Sequence, residues 1–255
     1  MNELATLSHL GLLVARPGML VAAAPVFGGQ YAPAPVRLGL AVLLALFALP
    51  AAPVDALPAL TTPLALGVVL ARELAIGLAL ALATQAVLAG AALGGHLTGS
   101  QLMLSYGSVV DPQGGVRNTL TASLYTNLAL FSCLAINAHH GLIRALADSY
   151  TVLPIGTGAI GASLAGSVVQ LLGIVFVLGV RLAAPLVVVM LIVELATALM
   201  ARVAPSLNLM AIAPPLRVVI GLAALAAVVG LVPGVIAGAA GGLGRIGLRV
   251  AEAFR

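Results

Sequence analysis

Along this chain polar residues are the exception. Apolar residues form long runs at about Leu4 to Phe27, Leu38 to Leu49, Leu64 to Leu93, Leu120 to Ala138, Leu164 to Met200 and Leu209 to Leu243. A membrane-crossing helix needs about 20 predominantly apolar residues. The pattern therefore predicts an all-α, polytopic membrane-type chain of six apolar helical segments, organised as a single domain over residues 1–255. Several runs carry internal breaks, Arg16-Pro17 in the first and Arg181 with Pro185 in the fifth, so bent or broken helices are expected. Between the runs stand Gly28-Gly29-Gln30 with Pro33-Ala34-Pro35, a proline-rich loop through Pro50, Pro53, Pro58 and Pro63, a polar turn at His139-His140-Gly141, and a loop from Asp148 to Gly156.

The longest polar interruption is Gly94 to Thr119, and the sequence places a loop there. Gly99, Gly107, Gly114 and Gly115 supply backbone freedom, and Asp111-Pro112-Gln113-Gly114-Gly115 has the residue types of a tight turn. Between these breaks lies an apolar patch, Leu102-Met103-Leu104-Ser105-Tyr106, preceded by Gln101 and followed by Arg117. A loop with its own apolar plug, held between membrane-type helices, has the makings of a gate. The alternative is an ordinary inter-helix connection.

Composition agrees with the pattern. The chain is 62% hydrophobic and only 7% charged, with mean hydropathy +1.21. A soluble domain carries about 25% charged residues, so this is an integral membrane or membrane-complex protein. A single cysteine, Cys133, excludes an internal disulfide framework. The net charge of +4 is spread singly along the chain with no basic run, which leaves no nucleic-acid footprint. Met1-Asn2-Glu3-Leu4 lacks the positive start of a cleaved leader, so none is expected. Arg245, Arg249 and Arg255 favour a cytoplasmic C-terminus by the positive-inside rule.

The segments are not those of ordinary lipid-facing helices. Leu64 to Leu93 contains 13 Leu, Ile and Val residues beside Arg72 and Glu73. Insertion scales credit the former with about 4–8 kcal/mol and charge about 6 kcal/mol for the two ions, leaving a marginal lone span. Neighbouring side chains on a helix do not face one another, so Arg72 and Glu73 each need a partner elsewhere. Trp is absent, and glycines recur every fourth residue at Gly234, Gly238 and Gly242, a spacing that allows close helix packing. Together these features favour helices packed on other protein.

Several short pieces, in order and spanning almost the whole chain, carry a family resemblance. Arg16-Pro17 through Ala24-Pro25-Val26-Phe27, Pro35-Val36-Arg37-Leu38-Gly39-Leu40-Ala41 and Arg72-Glu73-Leu74-Ala75-Ile76-Gly77 come first. Gly99-x-Gln101, Leu104-Ser105-Tyr106 and Val110-Asp111-Pro112 follow. Asp148-Ser149-Tyr150-x-x-Leu153-Pro154-Ile155-Gly156 and Arg202-Val203-Ala204-Pro205-Ser206-Leu207-Asn208 complete the set. The chain resembles the FliR/SctT family of the type III export gate. It departs at Ser206, where the family usually has Gln, at Ala138, where Gly precedes His, and at Ala213-Pro214-Pro215, usually Gly-Phe-Pro. The Leu153-Pro154-Ile155-Gly156 ending is closer to flagellar members than to injectisome SctT proteins.

The resemblance implies a non-enzymatic channel subunit without cofactor, in the bacterial inner membrane within the basal-body export apparatus. It would assemble with FliP-like and FliQ-like subunits, beside FlhB- and FlhA-like ones, and pass unfolded protein substrates. Its central loop would plug the pore through Gly99, Gln101, Leu102, Met103, Leu104, Ser105, Tyr106, Gly107, Asp111, Pro112, Gly114, Gly115 and Arg117. Arg16, Arg37, Arg72, Glu73, Arg181, Glu194 and Arg202 would be buried charges serving assembly. Two rivals stand beside it. A small-molecule secondary transporter would also have broken helices and intramembrane ions, but it should show inverted repeats, and the halves are not similar. A membrane enzyme would have to use His96, His139, His140 and Asp148, yet the adjacent histidines cannot both face one site and no H-E-x-x-H occurs. Glu73 and Glu194 are also open to a proton-carrying role, against the plainer role of orienting helices.

Overall fold

In the computed structural model of the chain, residues 3–27, 32–51, 62–102, 120–157, 163–203 and 209–254 are described. Among them every regular element is helical: α1 Glu3–Ala23, α2 Ala34–Ala48, α3 Pro63–Gln101, α4 Leu120–Ala135, α5 Ala138–Val152, α6 Ser163–Val203, α7 Leu209–Val228, α8 Val232–Ala240 and α9 Leu243–Glu252. Short 3-10 turns cover Pro25–Phe27, Leu49–Ala51 and Val229–Leu231. Four stretches among the described residues are long and apolar enough to cross a membrane: Ala34–Ala51, Pro63–Gln101, Leu164–Val203 and Ala213–Ala240. The bent pair α4 and α5 makes a fifth if counted as one span. The protein is an all-α polytopic membrane protein.

Boundaries follow from local chemistry. Pro35 enters the first turn of α2, where its missing N–H leaves no hydrogen bond unmade and its fixed φ suits the helix. The break between α4 and α5 falls at Asn137, in left-handed conformation at φ 55°, a position asparagine tolerates better than most residues. The turn expected at His139-His140-Gly141 therefore sits one step earlier, and these three residues form the first turn of α5. Pro185 lies inside α6 without ending it.

α3 runs past Leu93 to Gln101, so Gly94 to Gln101, read from the sequence as the start of the loop, is helix. The glycines there serve packing. A Cβ on Gly94 would lie 2.8 Å from Leu182 Cβ of α6, and one on Gly95 would lie 2.5 Å from Ala122 Cα of α4. Distances below about 3 Å are closer than real Cβ atoms come, so both crossings require glycine.

The chain divides into two compact units, one of residues 1–86, 133–173 and 239–255, the other of 87–132 and 174–238. In the first, α1, α2, the start of α3, α5 and α9 pack on one another. α9 meets α5 where a Cβ on Gly244 would come 2.6 Å from the Gly141 carbonyl. Its buried face is Leu243, Gly247, Val250 and Ala251, and Arg245, Arg249 and Glu252 are exposed, a periodicity that makes a helix beyond the last apolar run. In the second unit the core includes Leu102, Leu186 and Met190, all fully buried, with Ala224 and Leu225 against them. The regularly spaced Gly234 and Gly238 meet nothing within 4 Å.

Candidate functional site

The feature that stands out in the first unit is a charged cluster with no exposure at all. Arg16 of α1 and Glu73 of α3 both have side chains 0% exposed and form an ion pair, with Arg16 Nε donating to Glu73 Oε2 at 2.8 Å. The helix periods put them there. On α1, Leu12, Leu13, Arg16 and Leu20 share the buried face; on α3, Val69, Glu73, Ile76, Gly77 and Leu80 do. Arg72, one position round the helix from Glu73, is only half-buried.

What lets the two helices meet is Gly77, one turn after Glu73. A Cβ there would stand 2.3 Å from the Arg16 backbone carbonyl oxygen, so any side chain at 77 would part α1 from α3 at the level of the pair. The same close approach sets Glu73 against the guanidinium.

Each nitrogen of Arg16 has an acceptor. Nη1 donates to Ser149 Oγ at 3.0 Å, and Nη2 donates to the Leu153 carbonyl at 3.0 Å. The Ser149 hydroxyl in turn donates to the Leu146 carbonyl at 2.7 Å. The second carboxylate oxygen of Glu73, Oε1, accepts the Gly156 N–H at 3.1 Å. Gly156 has φ 84°, a conformation natural to glycine, within a turn closed by the Thr157 N–H on the Pro154 carbonyl at 3.1 Å. Arg16 Cζ lies 4.2 Å from the centroid of the Tyr150 ring, within the range of a cation–π contact.

Tyr150 answers a second need. Pro17 lies inside α1 and has no N–H, so the carbonyl four residues earlier, on Leu13, loses its helical donor. The Tyr150 hydroxyl donates to that carbonyl at 3.0 Å. Proline, arginine and tyrosine thus form one unit: the break that Pro17 makes in α1 is closed by the ring that supports Arg16. Further along, Gln85 Nε2 donates to the Ala23 carbonyl at 2.7 Å and satisfies one of the free carbonyls at the end of α1.

Burying two charges is favourable only when geometry and additional hydrogen bonds compensate their lost hydration. Here every guanidinium nitrogen and both carboxylate oxygens are engaged, across α1, α3, α5 and the turn after it. Arg16, Glu73, Ser149 and Tyr150 present no exposed surface to a substrate. Its chemical capacity is to hold four pieces of chain in register.

The other candidate residues are placed as follows. Glu194 of α6 forms the second ion pair, with Arg217 of α7, and both stay partly exposed. Arg37 is half-buried in the first turns of α2, and its Nε has no partner among the described residues. Arg181 and Arg202 are exposed on α6, so the burial expected for them is not supplied by the chain's own helices. Gly99 and Gln101 belong to α3, and Leu102, 0% exposed, packs with Leu186 and Met190. Met103, Leu104, Ser105, Tyr106, Gly107, Asp111, Pro112, Gly114, Gly115 and Arg117 lie outside the described residues. Four residues that matter were not singled out as site residues: Ser149, Tyr150 and Gly156, which sit inside a quoted signature, and Arg217, whose only sequence cue was an arginine after Pro214-Pro215 in an apolar run.

Comparison with known proteins gives a consistent picture. Residues 7–242 match the family described as "Bacterial export proteins, family 1". The chain is similar to the flagellar biosynthetic protein FliR of Caulobacter vibrioides, at 32% identity over 229 residues, 89% of this chain and 91% of the relative. It is also similar to FliR of Pectobacterium carotovorum and of Escherichia coli, each at 30% identity, covering 84% of this chain and 81% of the relative.

Proposed function

The chain belongs to family 1 of the bacterial export proteins, and on that premise we propose that it is the FliR subunit of a flagellar type III protein export gate. It is a membrane component of flagellar export, and its role is structural. The carrying observation is the match of residues 7–242 to the family together with relatives at 30–32% identity that bear the flagellar name. The geometry favours the same role, because the Arg16–Glu73 pair is buried, fully hydrogen-bonded and braces helices.

The finer reading is assembly with FliP-like and FliQ-like subunits, beside FlhA- and FlhB-like ones, in the bacterial inner membrane, with unfolded protein chains as the cargo. Supporting it is the surface of α6, where Phe176, Ile192, Leu195 and Leu199 are exposed in company with Arg181, Glu194 and Arg202. Apolar residues alone would suit lipid. Ionisable side chains among them suit contact with other protein, since charges are costly against hydrocarbon. The loop at 103–119 serves as the plug in this reading, through Met103, Leu104 and Tyr106. A hydrophobic constriction closes a pore by excluding water.

Co-expression with FliP-like and FliQ-like subunits and affinity capture of the chain tests the assignment. All three should elute as one species on native gels. A chain that is stable alone and binds a small solute would instead be a secondary transporter. Deleting residues 103–106, with Leu102 kept for its core packing, should leave an assembled complex that leaks ions. An assembled deletion complex as tight as wild type would make the loop an ordinary connection.

A further inference from the structure

Within the second unit, α3 and α6 meet as knobs in slots. A Cβ on Gly90 would lie 3.0 Å from Leu178 Cβ, and one on Gly94 would lie 2.8 Å from Leu182 Cβ. A Cβ on Gly179 would in turn lie 3.0 Å from Leu93 Cβ. Two leucines of α6 therefore fill glycine slots on α3, and one leucine of α3 fills a glycine slot on α6. Leu178, Leu182 and all three glycines are buried. Residue numbers rise by four on both helices from the first contact to the second, so the helices run parallel at this crossing. Further along, Leu102 is seated in the same manner. A Cβ on Gly221 of α7 would overlap Leu102 Cδ2, in the core that Leu186 and Met190 of α6 complete.

Switching proteins move packed helices past one another in steps of about one turn, roughly 5.4 Å. The order of residues here opposes such a step in both directions. With α6 one turn nearer the end of α3, Val175 would take the place of Gly179 against Leu93. With α6 one turn the other way, Leu178 would meet Ala86, and Ala183 would face Leu93. Either step drives a real Cβ into a space that only glycine leaves open, and close-packed interiors do not yield gradually. We infer that the α3–α6 pair is a register lock, keeping this one alignment while protein passes the export gate. Leu102 in the Gly221 slot extends the lock to α7, and the movement of export takes place elsewhere in the assembly. The inference rests on the proposed export role and names a part of the chain that stays still during it.

The test uses the full chain co-expressed with its FliP-like and FliQ-like subunits, with Cys133→Ala to remove the native thiol. Gly90→Cys with Leu178→Cys sets two Cβ atoms 3.0 Å apart, and Leu93→Cys with Gly179→Cys does the same. A disulfide spans about 3.5–4.5 Å between these atoms, so a small local opening admits it. Oxidation should link α3 to α6 in the assembled complex, and secretion of flagellar substrates should run at the same rate oxidised as reduced. Secretion that stops on oxidation and returns on reduction would overturn the lock, and so would an assembled complex in which neither pair links. Spin labels on the exposed Ser100 and Ala184 leave the crossing intact and serve as the second measurement. Their separation should be the same at rest and in a complex stalled on a substrate that does not unfold. A change approaching one turn, about 5.4 Å, would overturn the lock and leave the proposed function standing. A chain that captures no other subunit and supports no secretion would overturn both.

Discussion

The molecule contains two Arg–Glu pairs built from the same chemistry and finished differently. Arg16 and Glu73 are both 0% exposed, and every nitrogen of one and oxygen of the other has a partner. Glu194 and Arg217 share one contact, are 40% and 22% exposed, and leave an acceptor unused by the described residues. An ion pair by itself says little about role, because its net worth depends on how completely both groups are hydrogen-bonded after losing water. Complete pairing makes the first a brace inside one chain. Incomplete pairing leaves the second half open at the surface.

That contrast can be broken most severely at Gly77. Gly77→Ala puts a methyl within 2.3 Å of a backbone oxygen, which no rotamer change relieves. The expected loss reaches the exceptional range of about 4–5 kcal/mol, seen as failure of the protein to accumulate in membranes. Arg16→Ala should cost about 3–5 kcal/mol, the usual result of leaving one member of a buried pair alone, read as a lowered Tm of the purified complex. Tyr150→Phe keeps the ring under Arg16 but strands the Leu13 carbonyl that Pro17 left free, for about 1–3 kcal/mol in the same assay. The smallest effect falls on the half-exposed pair. Glu194→Gln should change the stability of the chain alone by about 0–1 kcal/mol, as for other exposed pairs. A loss there as large as that of Arg16→Ala would erase the distinction between the two pairs.

Much of this was legible before any coordinates. The apolar runs announced an all-helical membrane protein, and Arg16, Glu73 and Ser149-Tyr150 with Leu153 through Gly156 all stood in quoted motifs. Their union was not legible. Arg16 and Ser149 are 133 residues apart, and nothing in one sequence says which arginine Glu73 pairs with. The proline at 17 was the overlooked cue, because a proline in the interior of a helix leaves a carbonyl to be met. Gly94 and Gly95 misled in the opposite direction. Glycine marks both a hinge and a close helix crossing, and neighbours at Leu182 and Ala122, distant in sequence, decided for the crossing. α9 escaped because it continues no apolar run: Leu243, Gly247, Val250 and Ala251 mark a helix with one buried face and arginines opposite.

The central claim is that the Arg16–Glu73 cluster braces the fold for assembly and takes no part in transport. Glu73→Ala tests it most directly, measured as assembled complex on blue-native gels alongside secretion of flagellar substrates. The account predicts that complex and secretion fall together, because an unpaired Arg16 stays buried, and that the double substitution Arg16→Met, Glu73→Leu restores much of both. A fully assembled Glu73→Ala complex that exports nothing would contradict it and assign Glu73 to the movement of protons.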